Sequence, residues 1–228
     1  MHTVFPKRKI PSVTGERSSM TFEKLHNLNS NSMKTIRLMA LAACMAVTLD
    51  ASAQEQEIRL FSHRGGRMEH DENTLSAFQA SYDAGYRGFE TDIRMTADGA
   101  MVITHDSSLE RTTDGTGAVE EKSEAEIRQL VTKQGNKMLF LDELLEFLKG
   151  KEGLYVEFEM KTKPEALYPE ERLHAYCDKL YDAVMAIKPA DATFVFTSGD
   201  YRGLRYLQAK HPGVDLLLIT SKPCNDET

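Results

Sequence analysis

From Ile58 onward short apolar runs alternate with amphipathic stretches, and this alternation constrains the fold more than any other feature of the chain. Strands are expected at 58–63, 88–95, 101–105, 154–160, 193–197 and 214–219. Helices are expected at 74–84, 123–130, 141–149, 169–187 and 201–210. They rest on apolar positions recurring near every 3.6 residues and on stops at Gly85, at Gly150 and before Pro212. Ser123-x-x-Glu126 has the spacing of a capping box. Leu173, Cys177, Leu180, Val184 and Ile187 form one stripe, and Tyr82 belongs to another; both read as core. Strands that alternate with helices pair in parallel, so the class is α/β, either an open doubly wound sheet or a (β/α) barrel. The sequence shows no internal repeat.

Polar residues gather where the first four strands end: His63 and Arg64, Glu90 and Asp92, His105 and Asp106, Glu159 and Lys161. An open sheet concentrates its ligand at one switch point, whereas successive strands feeding one site suit a barrel mouth. Glu90 and Asp92, two apart on a strand, point to one face. Paired acids facing a barrel interior must take up a proton or bind a cation. With oxygen ligands alone, that cation is a hard one, Mg²⁺ or Ca²⁺. Glu157, Glu159 and Lys161 share a face of the fourth strand and offer further carboxylates and a cation; an internal salt-bridge network is the structural alternative. His63 and His105, at strand ends flanking the paired acids, suit proton transfer near neutral pH. Arg64 offers a fork that matches a phosphate, with a rim ion pair as its alternative. His70, His174 and His211 lack such company and read as solvated or structural. Ser62, Ser76 and Ser198 lie in no G-x-S-x-G elbow, which argues against a serine nucleophile, and no G-x-G-x-x-G follows the first strand.

The N-terminus reads as a leader. Lys34 and Arg37 precede an apolar stretch at 38–49 and the small-residue signal Ala51-Ser52-Ala53, the layout of a secretory signal peptide. Its apolar core is too short to span a bilayer. Residues 1–32 read as a non-structural extension, 33–53 as the signal peptide and 54–228 as the catalytic domain, so the expectation is an exported protein. Leu41-Ala42-Ala43-Cys44 is a weaker lipobox-like alternative that would anchor the chain as a lipoprotein. Of 28 Lys/Arg and 35 Asp/Glu, seven and three fall in the first 53 residues, leaving 21 and 32 and a net charge of −11. A chain this acidic lacks the basic footprint of a nucleic-acid binder. A phosphate ligand would need a local positive field. Cys177 and Cys224, in no zinc-like spacing, say little.

Taken together, His63-Arg64-Gly65, Glu72-Asn73-Thr74, Phe89-Glu90-Thr91-Asp92-Ile93, Thr96-Ala97-Asp98-Gly99, His105-Asp106 and 111–117 (RTTDGTG) resemble, in order and spacing, the glycerophosphodiester phosphodiesterases. Phe158-Glu159-Met160-Lys161 looks like that family's later E-x-K motif. The resemblance spans about residues 58–220. It implies a TIM-type (β/α) barrel that hydrolyses small-molecule glycerophosphodiesters to glycerol 3-phosphate and an alcohol. It also implies His63 as general base and His105 as general acid. Glu90, Asp92 and Glu159 would hold a divalent ion, Ca²⁺ or Mg²⁺, that activates a water or the glycerol 2-hydroxyl, and Arg64 and Lys161 would bind the phosphate.

There are departures from the family pattern. Asp71 stands where the family usually has Pro, and Glu157 where it often has Asn, which would add a charge near the ion. No long insertion separates strands three and four, so the leaving-group side is expected to be open or shaped by short loops. Six strands and no Trp imply a barrel lacking its last one or two β/α units. The alternatives are therefore a phospholipase D-like or cyclising phosphodiesterase acting on lyso-lipids, or an inactive truncated remnant that only binds phosphate esters. The sequence leaves the oligomeric state open and indicates no stable membrane span.

Overall fold

The computed structural model describes residues 60–221. The expected leader, Cys44 and Cys224 lie outside the described residues. Strands β1 (Phe61–His63), β2 (Gly88–Met95), β3 (Met101–Ile103), β4 (Tyr155–Met160), β5 (Thr193–Ser198) and β6 (Leu216–Leu218) alternate with helices α1 (Leu75–Asp83), α2 (Glu124–Ile127), α3 (Leu141–Leu148), α4 (Glu170–Ile187) and α5 (Tyr201–Lys210). All six expected strands are present, and each expected helix has a counterpart.

The sheet runs β1-β2-β4-β5-β6, with every neighbouring pair parallel. The order never reverses, so there is no switch point of the kind that marks a doubly wound sheet. A steady progression of β/α units is the construction of a TIM-type barrel. Here it supplies five parallel strands. Among the described residues no helix is long and apolar enough to cross a membrane.

One expectation is corrected. The third strand is not a barrel strand: β3 folds back antiparallel on β2, pairing Ile93 with Ile103 and Met95 with Met101. The reason is the length of the connection. A parallel return needs a crossover of a dozen or more residues, and only the turn from Thr96 to Ala100 is available. Gly99 takes φ +88° there, and the Thr96 side chain accepts from the Ala100 N–H at 2.8 Å. On its other edge β2 outlasts β4, whose pairing with it stops at Ile93 and Met160. Instead the Met95 N–H donates to the Tyr168 hydroxyl, and Arg172 donates to the Met95 and Thr96 carbonyls. The backbone groups freed by the departing strand are thus satisfied by side chains.

Alternation along each strand separates core from site. Phe89 and Ile93 on β2, Val156, Phe158 and Met160 on β4, and Phe194 and Phe196 on β5 join the apolar stripes of α3, α4 and α5 in one buried cluster, which includes Cys177. Phe158 packs against Phe194 and Phe196 at ring separations of 5.3 and 6.1 Å. The alternate residues Glu90, Asp92 and Arg94 on β2, and Glu157 and Glu159 on β4, take the opposite face. The segment from Thr104 to Phe140 is held by isolated bridges and a second small core of Leu109, Val119, Ile127 and Phe140. It holds the predicted capping box at Ser123, shortened to one helical turn. This segment, rather than a short loop, shapes one wall of the site.

Candidate active site

His63 closes β1, and the chain then turns sharply. Arg64 sits at φ +54°, uncommon for a residue with a Cβ. Its N–H donates to both the Glu90 carbonyl at 3.1 Å and the Glu90 carboxylate at 3.0 Å, which holds it there. Gly65 follows at φ +74°, where a Cβ would press on Ala77 at 3.0 Å. Asn73 is also left-handed, at φ +59°. Its side chain donates to Asp92 at 2.9 Å and its N–H to the Arg64 carbonyl at 2.9 Å. Two left-handed residues beside one carboxylate pair are local strain of a kind that clusters at functional sites.

Glu90, Asp92 and Glu159 each offer a carboxylate oxygen, all within 4.8 Å of one another. Glu90 Oε1 and Asp92 Oδ1 are buried and accept no hydrogen bond; Lys161 Nζ lies 3.2 Å from Asp92 Oδ1 but is not aligned with it. Burial first, then the charges of Asp92 and Glu159, push the Glu90 carboxyl well above the usual range. Burial likewise raises Glu159, against the pull of Lys161. Crowded acids with unsatisfied buried oxygens fit a hard divalent cation. Glu157, although in register with Glu90, does not join them: its carboxylate accepts the Tyr155 hydroxyl at 2.7 Å.

The cations are already engaged. Arg64 reaches Asp92 at 3.3 Å and Glu72 at 3.1 Å, and Lys161 donates to Glu159 at 2.7 Å. His63 Nε2 lies 3.5 Å from Glu90, and burial together with the Arg64 cation lowers its pKa to about 4. A neutral imidazole at physiological pH is a proton acceptor. His105 follows β3, and its Nδ1 lies 2.6 Å from Asp106 Oδ1, which directs Nε2 away from that carboxylate. Burial raises Asp106, but hydrogen bonds from Arg111 and His105 outweigh it and hold the carboxyl at about 2. Arg111 also donates twice to Glu72, at 2.7 and 3.0 Å. A charged chain thus runs from Arg64 through Glu72 and Arg111 to Asp106 and His105.

A cleft of about 450 Å³ opens beside these groups, lined by His105, Asp106, Glu159, Lys161, Arg94 and Asp200, among others. Of the seven residues singled out in the sequence, Glu159, Lys161 and His105 line this cleft, the last from a hairpin, while His63, Arg64, Glu90 and Asp92 adjoin it through the contacts described above. Sequence reasoning quoted Glu72, Asn73, Asp106 and Arg111 within its motifs but gave them no role, and it did not single out Arg94 or Asp200. Arg94 carried a usable signal, since it is two residues beyond Asp92 on the same strand face. The others depend on loop paths that periodicity does not report.

Comparison with known proteins agrees with this geometry. The chain is 42% identical over 73 residues to glycerophosphodiester phosphodiesterase 1 of Bos taurus, a match covering 32% of this chain and 22% of that protein. It is 34% identical over 123 residues to the glycerophosphodiester phosphodiesterase of Caldanaerobacter subterraneus, covering 50% of each. A phosphodiesterase from Oleispira antarctica, solved in complex with the product sn-glycerol-3-phosphate, superposes with a TM-score of 0.64 at 26% identity, covering 73% of this chain and 68% of that one. The chain thus spans half or less of the length of these curated relatives. The family model for the glycerophosphoryl diester phosphodiesterases matches residues 63–228, from the first site histidine onward, and the chain belongs to that family.

Proposed function

We propose that this protein hydrolyses glycerophosphodiesters to glycerol 3-phosphate and an alcohol, with His63 and His105 moving the protons. The observation that carries this reading is the convergence of Glu90, Asp92 and Glu159 between His63 and Lys161, with buried unpaired oxygens on Glu90 and Asp92. These three carboxylates would hold a Ca²⁺ or Mg²⁺ ion, which would supply charge neutralisation at the phosphate. The chain's own residues account for the rest. Lys161, beside the cleft, orients the phosphate, and Arg64 stiffens the acidic cluster. His63 takes the proton from the attacking water as the new P–O bond forms. His105, steadied through Nδ1 by Asp106, gives a proton from Nε2 to the departing alkoxide as the old P–O bond breaks. The expected leader at 33–53 supports a reaction outside the cytoplasm.

The test is release of glycerol 3-phosphate from glycerophosphocholine, with and without EDTA, by the wild type and by His63→Ala and His105→Ala. Each substitution should cost roughly 10²–10⁴ in rate without unfolding the chain. Turnover that ignores both EDTA and the histidines, or a cyclic phosphate as sole product, would refute the mechanism.

A further inference from the structure

His105 differs from the other site residues because no barrel strand carries it. It follows a three-residue hairpin strand, and its neighbour Thr104 makes only one bond back to β2, N–H to the Asp92 carbonyl at 3.0 Å. A proton donor on so short a support needs another anchor. Arg94 provides one. Its side chain, 7% exposed, extends from the strand that carries Glu90 and Asp92. Nε and Nη2 both donate to the His105 carbonyl, at 3.0 and 2.9 Å. Nη1 donates to the carbonyls of Lys161 and Lys163, each at 3.3 Å, and to Glu120 at 2.7 Å. One planar guanidinium therefore joins the backbone of His105 to the backbone that begins at Lys161. A lysine could not do this, because a single ammonium lacks the rigid fork that reaches two carbonyl sites at fixed spacing.

We propose that Arg94 is a positioning residue: it fixes the distance between the proton-donating imidazole that follows the hairpin and the phosphate-orienting amine just past β4. Glu120 plays the supporting part. It is buried, balances the Arg94 charge and accepts the Tyr168 hydroxyl at 3.1 Å. The proposal rests on the functional reading above for its chemistry, but not for its geometry.

The experiment uses the full chain and two readouts. The first is the imidazole ¹H–¹³C signal of His105, identified by its loss in His105→Asn. The second is kcat and KM for glycerophosphocholine with Ca²⁺ or Mg²⁺. Arg94→Gln should shift and broaden the His105 signal while leaving that of His174 in place. It should also lower kcat about 10²-fold, the scale of a misplaced catalytic group, with KM little changed. Arg94→Lys should recover only part of both. Glu120→Gln, which removes the buried charge balance but leaves the Arg94 donors on His105, should lower the melting temperature and spare the His105 signal. An undisturbed His105 signal in Arg94→Gln, or the same disturbance in Glu120→Gln, would overturn the assignment. If the wild type releases no glycerol 3-phosphate, the functional reading fails, and the His105 signal still decides the role of Arg94.

Discussion

Replacing Glu90 with Gln should raise the stability of the metal-free protein and remove its response to divalent cations. Glu90 is 5% exposed, and its cluster places Asp92 and Glu159 oxygens within 4.8 Å. At an effective dielectric of about 20, two like charges at that separation repel by roughly 3 kcal/mol. The bond from the Arg64 N–H at 3.0 Å survives the change, because an amide oxygen accepts it as well. The amide NH₂ would take the place of an oxygen that now has no partner, and it can donate to either neighbouring acid. Part of the repulsion is already offset by Arg64, so a net gain of about 1–3 kcal/mol is the reasonable scale. In a domain of this size that amounts to roughly 2–4 °C of melting temperature per kcal/mol. The wild type should gain about 2.7 kcal/mol when Ca²⁺ or Mg²⁺ reaches a hundred times its dissociation constant, and Glu90→Gln much less. Thermal unfolding at pH 7.5, in EDTA and over a cation titration, should show the two curves crossing. A wild type indifferent to both ions, or a variant less stable than wild type in EDTA, would mean that the Arg64 cation, not cation binding, resolves the crowding.

Other consequences are simpler to check. Phe158→Ala, in the wall between β4 and β5, should lose about 3–5 kcal/mol, read as a lower denaturation midpoint in urea. Asp200, the N-cap of α5, is raised by burial but held low overall by hydrogen bonds from Arg202 and Thr162. Its contribution is therefore present above the unfolded value near 3.9 and is lost as pH falls through the lower folded value. Asp200→Ala should cost about 1–2 kcal/mol at pH 7, with the gap to wild type closing below about pH 3.9; an equal gap at both ends of a pH series of denaturation curves would refute this. Cys177 is fully buried and burial pushes its thiol up to about 12. In a Cys44→Ser, Cys224→Ser background it should react with a disulfide reagent only after denaturation.

The sequence made the barrel legible because its two periods survive in the structure. Alternation on β2 and β4 put acids on one face and Phe89, Ile93, Phe158 and Met160 on the other, and helical spacing on α4 gave the complementary stripe. What periodicity does not carry is the direction of pairing. Residues 101–105 looked like any other strand, and only the short turn at Thr96 distinguished a hairpin from a crossover. Loop paths were equally hidden. The roles of Asn73, Asp106 and Arg111 depend on left-handed backbone and on ion pairs made by residues far apart in the chain. Arg64 was expected on the phosphate; its geometry ties it first to Asp92 and Glu72.

That last difference bears on how an acidic protein can approach a phosphodiester at all. Around the mouth, Glu72, Glu90, Asp92, Asp106, Glu159 and Asp200 outnumber Arg64, Arg94, Arg111, Lys161 and Lys163, and each of these cations except Lys163 already contacts a carboxylate. The balance is negative, within a chain that is negative as a whole. Arginine and lysine here hold the acids in place more than they offer free charge to a ligand. A phosphodiester anion would therefore be repelled from the metal-free mouth. A divalent ion among Glu90, Asp92 and Glu159 would bring the same residues close to neutrality and release part of the hold on Lys161. Binding of the ion and binding of the phosphate are on this reasoning coupled, with the ion first. Glycerol 3-phosphate should then bind measurably in Ca²⁺ or Mg²⁺ and negligibly in EDTA, whatever the turnover rate.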